Sequence, residues 1–450
     1  MKARKLIWAT AEGKKCMSEL AARYKLDLGK DRQKLLERML EERPEGSLAK
    51  SAWLVVYAVS GKRYQRTFPK KKDADAWITT AQLDVRNGAH VPDSTSLTVR
   101  EAGEQWIEAC KNGAGEERPA LERSTWEQYR QHLEHHIYPY LGDIKLSRLT
   151  PQTVRDFMTK LAAGTPPPGA DHAEPRSRAM LKKIRTSLGS LLAESGTPRN
   201  VVHEMRRARS KAHVEKRHED DLEIGVDIPT PDEISAIIKT LDGDEWRRWR
   251  PLILTAIFTG LRSSELRGMR WKYLDLVKGA AHVRQRADRY GTFGPPKSGA
   301  GRRSVPLTPK LVAALKEWRL ACPKGKLDLV FPNGVGKVES HSNIINRCWH
   351  PLQIAAGVAD VEKDADGNVV YGEDAKPVRK PRYSGLHALR HFYASWCINS
   401  EPAGLGLPPK AVQTRLGHSS IVMTMDVYGH LFPGDEHSEK AAEGEARLWG

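Results

Sequence analysis

The sequence predicts a multidomain, mainly α-helical protein with small β-sheets. Its 450 residues are enough for about two to four domains. β-Branched and aromatic residues dominate Ser51 to Phe68, helical spacing of apolar residues dominates residues 97–205, and the remainder mixes both patterns. We therefore expect an α+β amino-terminal module, an all-α middle domain and a mixed α+β carboxy-terminal domain.

The amino-terminal region divides into two parts. Residues 1–48 are polar and charged, and we interpret them as a basic extension of unknown role. The stretch "SAWLVVYAVSGKRYQRTF" predicts a hairpin turning at Ser60-Gly61, and a short amphipathic helix follows it. We interpret residues 49–92 as a DNA-reading module, with an ordinary α+β module as the alternative. Its candidate DNA contacts are Lys62, Arg63, Arg66, Lys70, Lys71 and Lys72.

The middle domain, residues 96–205, shows helix-start signals. "STWEQYRQHLEHHIYPYLG" begins with a capping-box pattern, Ser124 to Glu127. "TPQTVRDFMTKL" places Thr150 at an N-cap and Pro151 in the first turn. These signals predict a small all-α domain.

Three neighbouring histidines, His132, His135 and His136, raise the question of a metal site. His132 and His136 could share a helix face, but no third ligand is evident, so we expect a solvated face and no metal. The chain has an odd number of widely spaced cysteines and no CxxC pair, which predicts free buried thiols. They are Cys16, Cys110, Cys322, Cys348 and Cys397.

A basic linker, residues 206–226, separates the middle domain from the carboxy-terminal domain. It contains Arg206, Arg207 and Arg209, which we expect to run along a DNA backbone. The last domain, residues 227–450, opens with "TPDEISAII", a helix start. It includes a small sheet near residues 279–307.

The charge of the chain points to a polyanionic partner. The net charge is +17 and the isoelectric point is near 9.6. The longest apolar run, "PLILTAIFTGL", is too short to span a bilayer, and the mean hydropathy is −0.57. We therefore expect a cytoplasmic protein that lies along nucleic acid.

The carboxy-terminal domain holds a set of residues suited to phosphodiester chemistry. The motifs are "TGLRSSEL", "PPKSGAGRRSVPL", "LHALRHFYAS", "LGHSS" and "MDVYGHL", and they supply Arg262, Glu265, Lys297, His387, Arg390, His418 and Tyr428. Two arginines can hold non-bridging phosphate oxygens, and a tyrosine can attack phosphorus. Lysine or histidine can move the protons. We predict no metal and no cofactor.

This ordered set resembles the tyrosine recombinases of the phage-integrase family, over roughly residues 50–432. The resemblance implies that Arg262 and Arg390 clamp the scissile phosphate and that Lys297 is the general acid for the 5′-oxygen. His387 and His418 would assist proton transfer and phosphate binding. Tyr428 would form a 3′-phosphotyrosine, and Glu265 would support the first arginine.

The resemblance also implies domain roles and partners. Residues 49–92 would form an arm-type DNA-binding domain, residues 96–205 a core-binding, SAM-like domain, and residues 227–450 the catalytic domain with its tail. The expected partners are double-stranded DNA attachment sites and three further copies of the chain, which would form a tetramer that recombines DNA through a Holliday junction. A directionality factor and a DNA-bending protein are further candidates.

Two other functions are alternatives to site-specific recombination. A type IB topoisomerase uses a similar residue set, but the arm-type module argues against it. An inactive DNA-binding regulator would lack a catalytic residue, whereas every expected position is filled. One departure from the family pattern, an insertion at residues 357–381, resembles a calcium loop only superficially and predicts an Asp-Gly hairpin tip.

Overall fold

The computed structural model describes residues 1–42, 48–59, 61–86, 91–113, 119–197, 200–207, 222–364, 366–432, 445 and 447–449. The chain divides into two compact units, Met1–Ala212 and His213–Gly450, called unit 1 and unit 2 below. Within the described ranges, no helix is both long and apolar enough to cross a lipid bilayer.

Unit 1 begins with a three-stranded antiparallel sheet flanked by helices. Its elements are β1 (Ala3–Ala9), α1 (Ala11–Tyr24), α2 (Arg32–Glu42), β2 (Ala49–Val59), β3 (Lys62–Phe68) and α3 (Lys71–Arg86). Strand β2 lies in the centre, with Val59 opposite Lys62 across the predicted hairpin, which is confirmed. Gly61 adopts φ +77°, as its turn requires, while Ser60 lies outside the described residues.

Residues 1–48 are not a separate extension in this structure. Strand β1 pairs with β2 over its whole length, from Ala3 opposite Val55 to Ala9 opposite Ala49. Helix α2 packs the buried side chains of Leu35 and Met39 into the same core as Ala49. The reason is that β1 supplies hydrogen-bond partners for one edge of β2, a long-range pairing that the polar composition of this segment conceals.

The second part of unit 1 is all α-helical, as predicted. Its helices are α4 (Val99–Asn112), α5 (Arg123–His132), α6 (Tyr138–Leu141), α7 (Pro151–Ala163), α8 (Arg178–Glu194) and α9 (Val201–Arg207), with a π-helical segment at Leu133–Ile137 between α5 and α6. Trp106, Phe157 and Leu188 are buried in its core. Thr150 caps α7, as predicted, by accepting from the Thr153 amide.

Two predictions about this helical part are wrong. Helix α5 begins at Arg123, with Glu122 at its N-cap and no side-chain capping bond, so the Ser124 capping box does not form. His132 is buried rather than solvated, and its Nδ1 lies 2.8 Å from the Ser187 hydroxyl. Packing against α8 supplies this partner, which spacing along one helix could not reveal.

Unit 2 combines helices with three small sheets. Its strands are β4 (Leu274–Asp275), β5 (Ala280–Val283), β6 (Arg286–Ala287), β7 (Phe293–Gly294), β8 (Arg303–Pro306), β9 (Ala359–Val361) and β10 (Arg379–Pro381). They form a β4-β5-β8 sheet and the pairs β6-β7 and β9-β10, all antiparallel.

The helices of unit 2 surround one large apolar core. They are α10 (Pro231–Thr240), α11 (Arg250–Thr259), α12 (Ser263–Arg267), α13 (Pro309–Ala321), α14 (His341–Ile344), α15 (His350–Ala355), α16 (His387–Ile398), α17 (Pro409–Leu416) and α18 (Ile421–Tyr428), with a π-helical segment at Ile345–Trp349. Helices α11 and α16 pack together at its centre, where Ile253, Ile257 and Leu389 are fully buried.

The insertion before α16 is a hairpin-like excursion. Strands β9 and β10 close its base, and the Asp364 amide donates to the Asn368 carbonyl at a tight turn, 2.9 Å away. Gly367 adopts φ +87° in this turn. The predicted hairpin tip is therefore confirmed, and the insertion leaves the position of α16 in the core intact.

Candidate active site

Helix α16 presents three basic side chains on one face. His387, Arg390 and His391 are three and four residues apart, a spacing that places them side by side on a helix. The rings of His387 and His391 are perpendicular, with their centroids 4.7 Å apart. Burial lowers the pKa of each imidazole to about 4, so both are neutral near pH 7.

Arg390 joins the ends of two helices that are distant in sequence. Its Nη1 donates to the Gly260 carbonyl after α11, and its Nη2 donates to the Leu416 carbonyl at the end of α17, each at 2.7 Å. Both helices end in a left-handed glycine, Gly260 and Gly417, and carbonyls at helix ends carry partial negative charge. Burial is the main cause that lowers the pKa of Arg390, to about 9.

The carboxylate of Glu265 binds two arginines, Arg262 and Arg303. Its carboxylate accepts from Arg262 Nη1 at 3.0 Å and from both Nη atoms of Arg303, at 3.1 and 2.9 Å. It also accepts from the Arg262 amide at 3.0 Å. Burial alone would raise the pKa of Glu265, but the hydrogen bonds and charges of Arg303 and Arg262 outweigh it and lower that pKa. Arg262 is thus held at the start of α12.

His418 is fixed through both of its ring nitrogens. Nε2 lies 3.0 Å from Arg390 Nη2, and Nδ1 lies 3.0 Å from the Thr424 hydroxyl. Because arginine can only donate, Nε2 accepts, and the proton of the neutral ring is on Nδ1. Burial, followed by the charges of Arg390 and Arg262, lowers the pKa of His418 to about 4.

Tyr428 is the last residue of α18 and only 1% exposed. Its hydroxyl lies 2.9 Å from Nδ1 of His391. Its ring lies parallel to that of His418, with centroids 6.3 Å apart. Burial raises the pKa of Tyr428 to about 12, although the charges of Arg390 and Arg262 act in the opposite direction. The hydroxyl is therefore protonated, and the positive charges of Arg390 and Arg262 act on it.

Lys297 lies apart from these groups. It is exposed in the turn between β7 and β8, and in the described part of the chain no hydrogen bond or ion pair joins it to the cluster. Its turn nevertheless packs on the segment that holds His418. A Cβ atom added at Gly417 would lie 3.1 Å from the Ala300 carbonyl oxygen. The structure thus brings together the other predicted residues, which are Arg262, Glu265, His387, Arg390, His418 and Tyr428.

Sequence reasoning missed three members of this cluster. His391 directly follows Arg390, and its signal was the four-residue spacing from His387. Arg303 lies in "GRRSV", which gives no sign that it would be buried against Glu265. Thr424 reads as an ordinary helical residue, yet it is fully buried against His418.

The predicted DNA contacts of unit 1 are in a different environment. Lys62, Arg63, Lys70, Lys71 and Lys72 are exposed on and beside β3. Arg66 is partly buried between the rings of Phe68 and Trp77, each about 5.3 Å from its guanidinium carbon. The side chains of Arg206 and Arg207 lie outside the described part of the chain, as does Arg209.

Two family models match the chain. The model of the phage integrase family covers residues 229–434, and the model of the phage integrase N-terminal SAM-like domain covers residues 98–162. The chain belongs to the phage integrase family. The first match spans the whole cluster from Arg262 to Tyr428, and the second lies within the helical part of unit 1. The predicted family and enzyme class, a tyrosine-type site-specific recombinase, are confirmed.

Relatives agree with this assignment. The chain is 26% identical over 373 residues to a putative prophage phiRv2 integrase of Mycobacterium tuberculosis, covering 79% of this chain and 82% of the relative. It is 24% identical over 401 residues to a tyrosine recombinase XerC-like protein of Caldanaerobacter subterraneus, covering 83% and 90%. Against the prophage integrase IntR of Escherichia coli, it is 26% identical and spans half of that relative.

A solved structure shares the fold. The Tn1549 transposon integrase, in complex with transposon right end DNA, aligns with a TM-score of 0.56 and 18% identity. The alignment covers 79% of this chain and all of that chain. The predicted fold class is confirmed by this likeness together with the mainly helical structure.

Proposed function

We propose that the chain exchanges strands between DNA attachment sites of a phage or other mobile element through a covalent bond to Tyr428. The observation that carries this assignment is the position of the Tyr428 hydroxyl. It is buried, and the charges of both Arg262 and Arg390 act on it. A phosphodiester placed between these arginines would present its phosphorus to the Tyr428 oxygen. Attack by this oxygen would form a phosphotyrosine.

The two arginines are suited to hold a phosphate because their positions are fixed in advance. Backbone carbonyls hold Arg390, and Glu265 holds Arg262, which remains 29% exposed through its side chain. Donors that are already in place need no reorganisation when charge develops on the phosphate oxygens. Removing one such donor typically costs about 10²–10³-fold in rate.

The reaction then proceeds by transfer rather than hydrolysis. The Tyr428 oxygen forms a bond to phosphorus as the bond to the 5′-oxygen breaks, which leaves a 3′-phosphotyrosine and a free 5′-hydroxyl. Lys297 would protonate the departing oxygen once its exposed turn closes on DNA. A 5′-hydroxyl from the second duplex reverses the step, so the bond energy is conserved and no nucleotide triphosphate is needed.

The other parts of the chain would bind and organise DNA. The helical part of unit 1 would clamp the crossover site, and residues 1–86, taken together as one sheet-and-helix module, would bind a second, arm-type site. The linker arginines would follow the backbone. Four copies would act on two duplexes through a Holliday junction. Support comes from the match to the SAM-like domain and from the DNA complex of the Tn1549 integrase.

The test is the substitution Tyr428→Phe. The variant keeps the ring that packs near His418 and loses only the hydroxyl, so it should bind DNA normally. It should form no SDS-resistant protein–DNA adduct, because no oxygen remains to bond phosphorus. The adduct is scored by gel after denaturation, with His350→Ala as a control because His350 contacts the Ser384 carbonyl away from the cluster. A normal adduct yield in Tyr428→Phe would disprove the assignment.

A further inference from the structure

Three histidines stand near Tyr428, and their geometry distinguishes them. His418 uses both ring nitrogens, one toward Arg390 and the other toward Thr424. His387 contacts the ring of His391, and in the described part of the chain no hydrogen bond joins it to the tyrosine. His391 alone of the three has a ring nitrogen within hydrogen-bond distance of the Tyr428 oxygen.

We propose that His391 is a catalytic residue that accepts the proton of Tyr428 when the tyrosine attacks phosphorus. This inference rests on the proposed function, because it assumes that Tyr428 is the nucleophile. A general base must lie within about 2.6–3.2 Å of the atom it deprotonates. The His391 Nδ1 to Tyr428 Oη distance of 2.9 Å meets this requirement before any DNA is bound.

The protonation states of the pair agree with this direction of transfer. Burial keeps the His391 ring neutral, with a pKa of about 4, and keeps the phenol protonated. In the tautomer that carries its proton on Nε2, the neutral His391 ring accepts from the phenol through Nδ1, and this is the tautomer that the proposal requires. The charge of Arg390 disfavours a cationic His391, whereas the carboxylate of Asp227 favours it. A bound phosphodiester would add a further negative charge next to the ring.

The proton balance closes over a full cycle. In cleavage, the Oη–phosphorus bond forms, the phosphorus–O5′ bond breaks, and the phenolic proton moves to His391 Nδ1. The departing O5′ receives its proton separately, from Lys297 in the proposed mechanism. In rejoining, an incoming 5′-hydroxyl gives its proton back to Lys297 as it attacks phosphorus, the phosphorus–Oη bond breaks, and the Tyr428 oxygen leaves with the proton returned by His391. The same ring therefore serves as base and then as acid.

The experiment needs a DNA probe, which selection can supply. A pool of random-sequence duplexes is incubated with the full chain, SDS-stable adducts are collected, and the most enriched duplex becomes the probe. A nick placed next to the cleavage site lets the short cut fragment diffuse away, so adduct formation reports cleavage alone. Adduct rates are then compared for the native chain, His391→Ala, His391→Gln, Tyr428→Phe and His350→Ala.

The expected result separates proton transfer from positioning. His391→Gln can still hydrogen-bond the phenol but cannot take up its proton, so both His391 variants should cleave about 10²–10⁴-fold more slowly. Added imidazole should restore cleavage by His391→Ala, and more basic substituted imidazoles should restore it better. If His391→Ala fails to fold, His391→Gln provides the rate test by itself.

Several outcomes would overturn the inference. A His391→Gln rate within tenfold of the native rate would show that a hydrogen bond suffices, and an absence of rescue by imidazole in folded His391→Ala would show a structural role. Adduct formation by Tyr428→Phe would instead overturn the proposed function itself. Independently of DNA, ¹⁵N-histidine spectra should show a hydrogen-bonded, unprotonated His391 Nδ1 that changes in Tyr428→Phe. An unchanged signal would refute the contact.

Discussion

The two units of this chain use the same kinds of charged residue in opposite ways. In unit 2, Glu265 and Arg303 have side chains only 2% and 3% exposed, and each has fixed hydrogen-bond partners. In unit 1, Lys62, Arg63 and Lys70 stand in solvent on and beside β3. The former set costs desolvation free energy and gains defined geometry, whereas the latter costs little and gains mobile positive charge.

This difference reflects the different requirements of catalysis and of DNA binding. Groups that stabilise a transition state must be in place before the reaction, which burial and multiple hydrogen bonds provide. Groups that attract a DNA backbone need only proximity and charge, because counterion release does not depend on one side-chain geometry. Substitutions in the two units should therefore differ in what they change, and the following predictions test that contrast in order of decreasing effect.

The largest expected effect is on stability, from Glu265→Gln. The substitution leaves the buried guanidinium of Arg303 without its carboxylate, and breaking such a pair typically costs about 3–5 kcal/mol. Urea unfolding of the native chain and the variant measures the loss. The control is Glu41→Gln, whose pair with Arg38 is more than half exposed on both sides, so its stability should hardly change. Equal losses of unfolding free energy in the two variants would contradict the expected difference between buried and exposed ion pairs.

The second prediction concerns Lys297, which is an exposed charged residue of unit 2, in contrast to the buried charges of Glu265 and Arg303. Lys297→Ala should reduce cleavage by about 10²-fold or more, because the departing 5′-oxygen loses its proton donor. A substrate with sulfur at the bridging 5′ position has a better leaving group and should largely restore the rate. The measurement is the rate of adduct formation on matched oxygen and sulfur substrates. If sulfur gives no rescue, another residue is the acid.

The third prediction is a pH dependence that arises from His418. Its pKa is about 4 in the folded chain and near the ordinary 6.5 when unfolded. The unfolded state therefore binds more protons between these values, so stability falls as the pH drops from about 6.5 toward 4. The contribution of one group is less than about 1.4 kcal/mol per pH unit. His418→Gln should show a shallower fall in unfolding free energy, and an identical slope would mean that His418 titrates normally.

The smallest expected effect is on DNA affinity, from exposed lysines of unit 1. Lys62→Ala and Lys70→Ala should each reduce the slope of log affinity against log salt by about 0.9, if each contacts one phosphate. The cleavage rate at saturating protein should stay unchanged. Fluorescence anisotropy across a salt series measures the slope. Unchanged slopes in both variants would show that these lysines on and beside β3 do not contact DNA phosphates.

Local sequence rules predicted several features correctly, although the local capping box at Ser124 does not form. The hairpin of β2 and β3 and the cap at Thr150 follow from patterns within a few residues, and both are present. The motifs of the proposed active site were recognisable because their residue types and order are specific. The other wrong predictions depended on long-range contacts: β1 pairs with a strand some 40 residues further along the chain, and the hydrogen-bond partner of His132 lies 55 residues away. The spacing of neighbouring residues along the sequence predicts neither of these partners.

The same reasoning explains the part of the cluster that was missed. Arg303 becomes a member only because β8 places it against Glu265, 38 residues earlier in the chain. His391 becomes a neighbour of Tyr428 only because α18 folds back on α16, 37 residues apart. Residue type alone cannot distinguish these two from the many other arginines and histidines of the chain. Only tertiary packing selects them.

The bridge formed by Arg390 has a consequence for when this enzyme can first act during its synthesis. Its guanidinium links the carbonyl of Gly260, 130 residues earlier, to that of Leu416, 26 residues later. A ribosome must therefore release residues well beyond 416, and Tyr428 after them, before the arginine reaches its final position. If the basic sheet binds DNA as proposed, a nascent chain that exposes it would bind DNA before it could cleave it. The order of translation would then separate DNA binding from strand cleavage, which requires the complete fold.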